Sequence, residues 1–205
     1  MPTACRIERV RSVLSRRQPD LRVILESVTN AHNASAVLRT CDAAGVLHIH
    51  LIAPGPEAFP VNAAISTRAD KWVELHTHAS LRECVAELKR KKFQVAATCL
   101  EDGSLDFDAL DYTRPTAVIF GNESEGISRE ALGLSDVRVK IPMLGMVQSL
   151  NLSVSVGVIL FEAMKQRRAA GFLERRRLSA REFSRLRSRW LGVSAAGGKK
   201  LPSKP

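Results

Sequence analysis

Three polar stretches, each following an apolar segment, carry the residue types from which a reactive site could be assembled. The first is Asn33-Ala34-Ser35-Ala36-Val37-Leu38-Arg39, continued by Thr40-Cys41-Asp42. Arg39 is the one cation in a small, apolar run. It either pairs with Asp42, three residues on along a wet helix face, or turns a guanidinium towards phosphate or ribose. The second is Phe120-Gly121-Asn122-Glu123-Ser124-Glu125-Gly126-Ile127, where two glycines bracket a polar loop after an apolar strand. Such a loop either joins strand to helix or brings backbone amides against a ligand. Glu123 is the residue a plain connection leaves unexplained. The third runs from Ile141 to Ser153. Ser149 and Asn151 open the helix that follows, where free N–H groups take a capping side chain or an anion. The apolar run Pro142 to Val147 is foreign to a surface loop. It is expected to be buried or wrapped round an apolar ligand part such as an adenine.

Other candidates carry less. His48 with His50, and His76 with His78, each put two imidazoles on one strand face. A zinc site needs four converging ligands, and no carboxylate or thiolate spacing supplies the rest, so no metal is expected. Cys5, Cys41, Cys84 and Cys99 stand singly, which argues against a disulfide framework or a zinc knuckle. Cys41 and Cys99 lie in apolar segments and are expected to be buried. No G-x-G-x-x-G follows a strand and no Walker loop is present, which counts against Rossmann dinucleotide enzymes, P-loop enzymes and Rossmann-like methyltransferases.

Charge is distributed unevenly along the 205 residues. Residues 1–17 hold five arginines and one glutamate; residues 165–205 hold 13 basic and two acidic side chains. The stretch between holds 13 basic and 18 acidic ones, so basic arms flank a mildly acidic body. That is the electrostatic footprint of a polyanion binder, and Arg9, Arg16, Arg17, Arg167, Arg168 and Arg175 are its candidate contacts. The alternatives are a solubilising tail or an arm for an acidic membrane surface. No apolar run is long enough to span a bilayer, and charges interrupt the N-terminal stretch where a secretory leader would be apolar. The chain therefore reads as cytoplasmic.

The elements that must position these residues alternate. Helices are expected over 3–17, from Asn33 (as a cap) to about Ala44, over 61–69, 81–92 and 128–134, and from Ser149 to about Ala170. Gly45 is placed to end the second of them. Strands are expected over 21–28, 46–53, 71–76, 93–100, 116–120 and 137–141, several continuously apolar. Alternation with buried strands means an α/β fold, a mostly parallel sheet with helices on both faces. Ligands of such sheets lie beyond the carboxyl ends of the strands, where the three polar stretches fall. One more helix is expected over 178–192, and GGKKLPSKP after it reads as disordered. The organisation is a basic N-terminal helix (1–20), a central domain (21–171) and a basic C-terminal helix with its tail (172–205).

The segments RRQPDL, HNASAVLRTCDAAGV, DYTRPTAVIFGNESEGIS and IPMLGMVQSLNLSVSVGVILFEA, in this order, resemble the SPOUT-class RNA 2′-O-ribose methyltransferases of the TrmH family. The likeness covers about residues 3–171 and is to members acting on guanosine-18 of tRNA. It implies a SPOUT (α/β knot) fold with a deep C-terminal trefoil knot, a homodimer with the active site at the interface, and S-adenosyl-L-methionine as methyl donor. It implies donor contacts at Thr98, Leu100, Gly121, Ile141, Met143 and Leu150, and a polar catalytic set of Asn33, Arg39, Glu123, Ser149 and Asn151. Arg39 is then the proposed base for the ribose hydroxyl. A guanidinium deprotonates with difficulty, so it either turns transiently neutral or stays charged and stabilises the forming alkoxide. Competing readings are a ribose methyltransferase for ribosomal RNA or another tRNA position, and an RNA-binding module without catalysis.

Overall fold

The computed structural model describes residues 2–52, 71–122 and 125–193. The expected helix over 61–69, Glu123 and the segment GGKKLPSKP lie outside them. Within them the chain runs α1 (Ala4–Ser15), β1 (Gln18–Glu26), α2 (Ala31–Ala43), β2 (Val46–Ile52), β3 (Glu74–His78), α3 (Leu81–Arg90), β4 (Gln94–Thr98), β5 (Leu105–Asp106), β6 (Thr116–Phe120), α4 (Arg129–Leu134), β7 (Val137–Lys140), α5 (Leu152–Ala169) and α6 (Ala180–Leu191). The seven strands form one sheet in the order β3-β2-β1-β6-β4-β7-β5, and every pair is parallel.

β1 shows how the two covered faces arise. Its side chains alternate, so Leu21, Val23 and Leu25 pack under α2 and α5, while Ile24 packs under α3 and α4. β2 and β6 are buried along their whole length, as expected of strands covered twice. β1 begins at Gln18, three residues before the expected start, and so takes in Pro19. The register shifts between Gln18 and Arg22, so the residue without an N–H sits at an irregular strand start. β5 was not expected; two exposed residues carry no apolar pattern.

Two helix starts differ from expectation. Asn30, not Asn33, caps α2, its side chain accepting from the N–H groups of His32 and Asn33. Asn33 is thereby placed in the first turn and is buried. Asn151, not Ser149, caps α5, accepting from Ser153 N at 2.9 Å, and Ser149 stays in the loop. At Gly45 the chain does leave α2 as expected, with φ at +81° in the left-handed region.

α1 and α6 lie against each other. Val10, Leu14, Leu186, Trp190 and Leu191 form a third apolar cluster with Leu47 and Leu178. α6 is specified locally: Ser179 and Glu182 make a reciprocal capping box. No described helix is long and apolar enough to cross a membrane.

Candidate active site

The three polar stretches converge. A cleft of about 630 Å³ opens beyond the carboxyl ends of β4, β6 and β7, the size range of small-molecule sites. Thr98 to Glu101 form one wall and Gly121, Asn122 and Glu125 to Ile127 a second. Lys140, Ile141, Met143 and Ser149 to Leu152 form the third, and Asn33 reaches in from α2. All six expected donor-holding positions, Thr98, Leu100, Gly121, Ile141, Met143 and Leu150, line it.

Each wall is held by identifiable bonds. Thr98 Oγ1 donates to Ile119 O at 2.9 Å, locking the end of β4 to β6. At the second wall, a Cβ on Gly121 would stand 2.0 Å from Gly126 O, so the backbone passes itself too closely for any side chain there. At the third, Asn151 Nδ2 donates to Asn33 Oδ1 at 3.1 Å, joining the first and third stretches across 118 positions of sequence. Its Oδ1 accepts from Ser153 N and caps α5 at the cleft.

The rest of the polar set divides. Ser149 and Asn151 line the cleft and are exposed. Arg39 is exposed on α2 but does not line it. Nor does Arg39 pair with Asp42, whose carboxylate is taken by Arg17. The loop from Pro142 to Val147, expected to be covered, leaves Leu144 and Met146 fully exposed and Val147 62% exposed. Phe161 and Val154 on α5 are also about half exposed. Cys99, expected to be buried, is half-buried at the cleft wall, 3.3 Å from Ser104 Oγ.

Two of the six arginines assigned to RNA contact are corrected. Arg17 and Arg167 are fully buried. All five N–H groups of Arg167 are satisfied, by Tyr112 O, Gln18 Oε1, Asp20 Oδ1, Asp20 O and Arg114 O at 2.6–3.2 Å. Burial pushes the Asp20 carboxyl up, but Arg167 and Arg177 outweigh it and hold Asp20 below the usual carboxylate range. Arg17 ties α2 to Trp72 through Asp42 O and Trp72 O and lies over the Trp190 ring, 5.3 Å from its centroid. Both are charged struts that join the chain ends to the sheet. Net charge counted along sequence cannot separate such struts from exposed cations; Arg9, Arg16, Arg168 and Arg175 are exposed.

The histidines form a ladder on the α3 face of the sheet edge. His48 Nδ1 lies 3.0 Å from His76 Nε2, and His50 Nδ1 2.8 Å from His78 Nε2. Folding also brings in a thiol that spacing had not suggested. Cys84 on α3 puts its sulfur within 4.8 Å of ligand atoms on His50 and His78. Arg22 decides how this cluster is used. Its Nη1 donates to His50 Nε2 at 3.3 Å, which leaves the proton of neutral His50 on Nδ1, directed at His78. Both ring nitrogens of His50 are therefore committed, and a cation already sits beside it. Burial, then the neighbouring His76 and Arg22, push the His50 pKa down to about 2. Burial, then Arg22 and His76, push His48 down to about 4. The ladder is a hydrogen-bonded structural element in which burial holds His48 and His50 neutral.

A fully parallel, doubly covered sheet whose polar loops meet in one cleft defines an α/β protein that binds a small ligand beyond its strand ends. The profile of the SpoU rRNA methylase family matches residues 20–161, and the chain belongs to that family. It is 50% identical, over 92% of its length and 97% of the relative's, to the tRNA (guanosine(18)-2′-O)-methyltransferase of Thermus thermophilus. Its fold superposes on the crystal structure of the Aquifex aeolicus TrmH/SpoU tRNA modifying enzyme with a TM-score of 0.86, at 41% identity, covering 91% of this chain and 95% of that one. The AdoMet-bound rRNA methyltransferase from Sinorhizobium meliloti is similar at a TM-score of 0.63 and 29% identity, covering 78% of this chain and 60% of that one.

Proposed function

We propose that this chain is a tRNA (guanosine(18)-2′-O)-methyltransferase, moving a methyl group from S-adenosyl-L-methionine to a ribose 2′-hydroxyl of tRNA in the cytoplasm. The observation that carries the reading is the cleft itself. In a SpoU-family chain, it gathers every expected donor-holding position beside the Asn33–Asn151 pair.

The residues fit the methyl donor. Leu100, Ile141, Met143, Leu150 and Ile159 give an apolar slot for an adenine. The tight backbone at Gly121 lets peptide groups approach the ligand, and Glu101 and Glu125 place carboxylates where a cationic ligand would be held. When bound, the donor supplies a methyl group already activated by its sulfonium, so the protein's task is alignment and charge stabilisation. Ser149, with the N-terminal N–H groups of α5, holds the phosphate beside the target ribose. Asn151, oriented by Asn33, fixes the sugar. Arg39 stays protonated and stabilises the developing alkoxide. Glu123 belongs to the same set.

Arg39 lies outside the cleft of its own chain, and the exposed Leu144, Met146, Val147, Val154 and Phe161 need a cover. We assign both to a homodimer in which each Arg39 completes the cleft of the other subunit. The segment from β6 to α5 forms the trefoil knot; the interleaved order β1-β6-β4-β7 and the packing of α5 on α2 support it. Residues 21–171 form the catalytic domain. The exposed arginines Arg9, Arg16 and Arg175 of the flanking segments, with Arg168 at the end of α5, grip the RNA backbone.

The test is incubation with labelled S-adenosylmethionine and unmodified bulk tRNA, followed by nucleoside mapping. Label on the ribose of guanosine-18 is expected. Label on a base, or transfer to ribosomal RNA in preference to tRNA, overturns the assignment.

A further inference from the structure

Glu26 ends β1 and faces no described wall of the donor cleft, yet its carboxylate makes the two bonds that fix the far side of the second polar stretch. Glu26 Oε2 accepts from Ser128 N at 3.0 Å, and Oε1 accepts from Ser128 Oγ at 2.6 Å. Because the Ser128 hydroxyl gives its proton to Glu26, its oxygen is free to accept from Ala131 N at 3.0 Å and cap α4. The near side of the same stretch is tied to the next residue of β1's exit. Asn122 Nδ2 donates to Ser27 O at 2.8 Å, and Ser27 holds a φ of +54°, a conformation that non-glycine residues rarely adopt. Between these two anchors, Asn122, Glu125, Gly126 and Ile127 contribute backbone and side chains to the cleft wall.

We propose that Glu26 is a positioning residue for methyl-donor binding: through Ser128 it sets the backbone of the cleft wall around Gly126 and Ile127. The inference rests on the cleft being the donor site. The segment after Ser27 leads directly into α2, which carries Asn33 and Arg39. Glu26 does not line the cleft itself. Its loss should weaken donor binding and leave the transfer step alone, because a wall that must be ordered on binding lowers affinity rather than the rate once filled.

Calorimetry with S-adenosylmethionine, steady-state kinetics and thermal melting on Glu26→Ala, Glu26→Gln and Ser128→Ala test this. Both bonds are partly exposed to water, so removing them should raise Kd and KM for the donor about fivefold, with kcat within about twofold. Glu26→Gln keeps one acceptor oxygen and should fall between wild type and Glu26→Ala. Ser128→Ala loses the hydroxyl bond to Glu26 but keeps the one from its backbone N–H, so its donor affinity should fall between wild type and Glu26→Ala, and the two losses should not add in the double variant. A folded Glu26→Ala enzyme with unchanged donor Kd and KM overturns the clamp, as does a fall in kcat at constant KM. If Glu26→Ala melts far below wild type, the Gln variant decides by the same readouts. Wild type that gives no heat with the donor overturns the proposed activity itself, a result distinct from a variant that binds normally.

Discussion

Acidification from pH 7 to pH 5 should unfold this protein more easily, and the histidine ladder sets the magnitude. His48 and His50 are buried, with pKa values pushed down to about 4 and about 2 from an ordinary 6.5. Between pH 6.5 and those values the unfolded chain binds protons that the folded chain refuses. Stability is thus full above pH 6.5 and is lost as the pH falls. At about 1.4 kcal/mol per pH unit, the drop to pH 5 costs roughly 2 kcal/mol per imidazole, about 4 kcal/mol for the pair. That is a large fraction of the roughly 5–15 kcal/mol typical of a folded domain. Asp20, Glu74, Glu87, Asp111, Glu162 and Glu182 all have lowered pKa values, so these carboxylates titrate below the window. Urea unfolding at pH 7 and pH 5, followed by circular dichroism, measures the loss. In His50→Gln the difference between the two pH values should shrink by about 2 kcal/mol. An unchanged difference in that variant, or none in the wild type, refutes the assignment of the acid sensitivity to the ladder.

Three further outcomes follow from the geometry. Arg167→Met removes five hydrogen bonds and leaves Asp20 and four acceptors short of partners, so stability should fall by about 3–5 kcal/mol in urea unfolding. Gly121→Ala places a methyl group 2.0 Å from Gly126 O, so the cleft wall must open and calorimetry should show S-adenosylmethionine binding weakened at least about tenfold. Met146→Glu puts a charge on a fully exposed apolar loop; if the proposed homodimer forms through this loop, sedimentation should show a dimer for wild type and a monomer for the variant, with methyl transfer lost alongside.

The strand–helix alternation was legible because strands covered on both faces are continuously apolar, as in VLHIHLI and TAVIF. The cleft was legible because its walls are loops after strands, which pattern and topology place together. Exact caps were not: asparagines at 30 and 33 are equally good candidates, and only the backbone decides between them. Arg17 and Arg167 were misassigned because a charged residue's environment depends on partners far along the chain, Asp42 and Trp72 for one and Asp20 and Tyr112 for the other. Cys84 beside His78 was invisible for a similar reason. A helix and a strand edge meet there, and no linear spacing encodes the meeting. The Glu26–Ser128 clamp spans 102 positions and carries no motif of its own.

The mutual cover of α1 and α6 has a consequence for synthesis. α1 leaves the ribosome long before α6, the helix that shelters it. At roughly 5–20 residues per second, Val10 and Leu14 wait on the order of ten to thirty seconds before Leu186 and Trp190 exist to shelter them. Until α6 emerges, the nascent chain presents a basic helix with an unpartnered greasy stripe, a natural target for the chaperones that attend unfinished polypeptides.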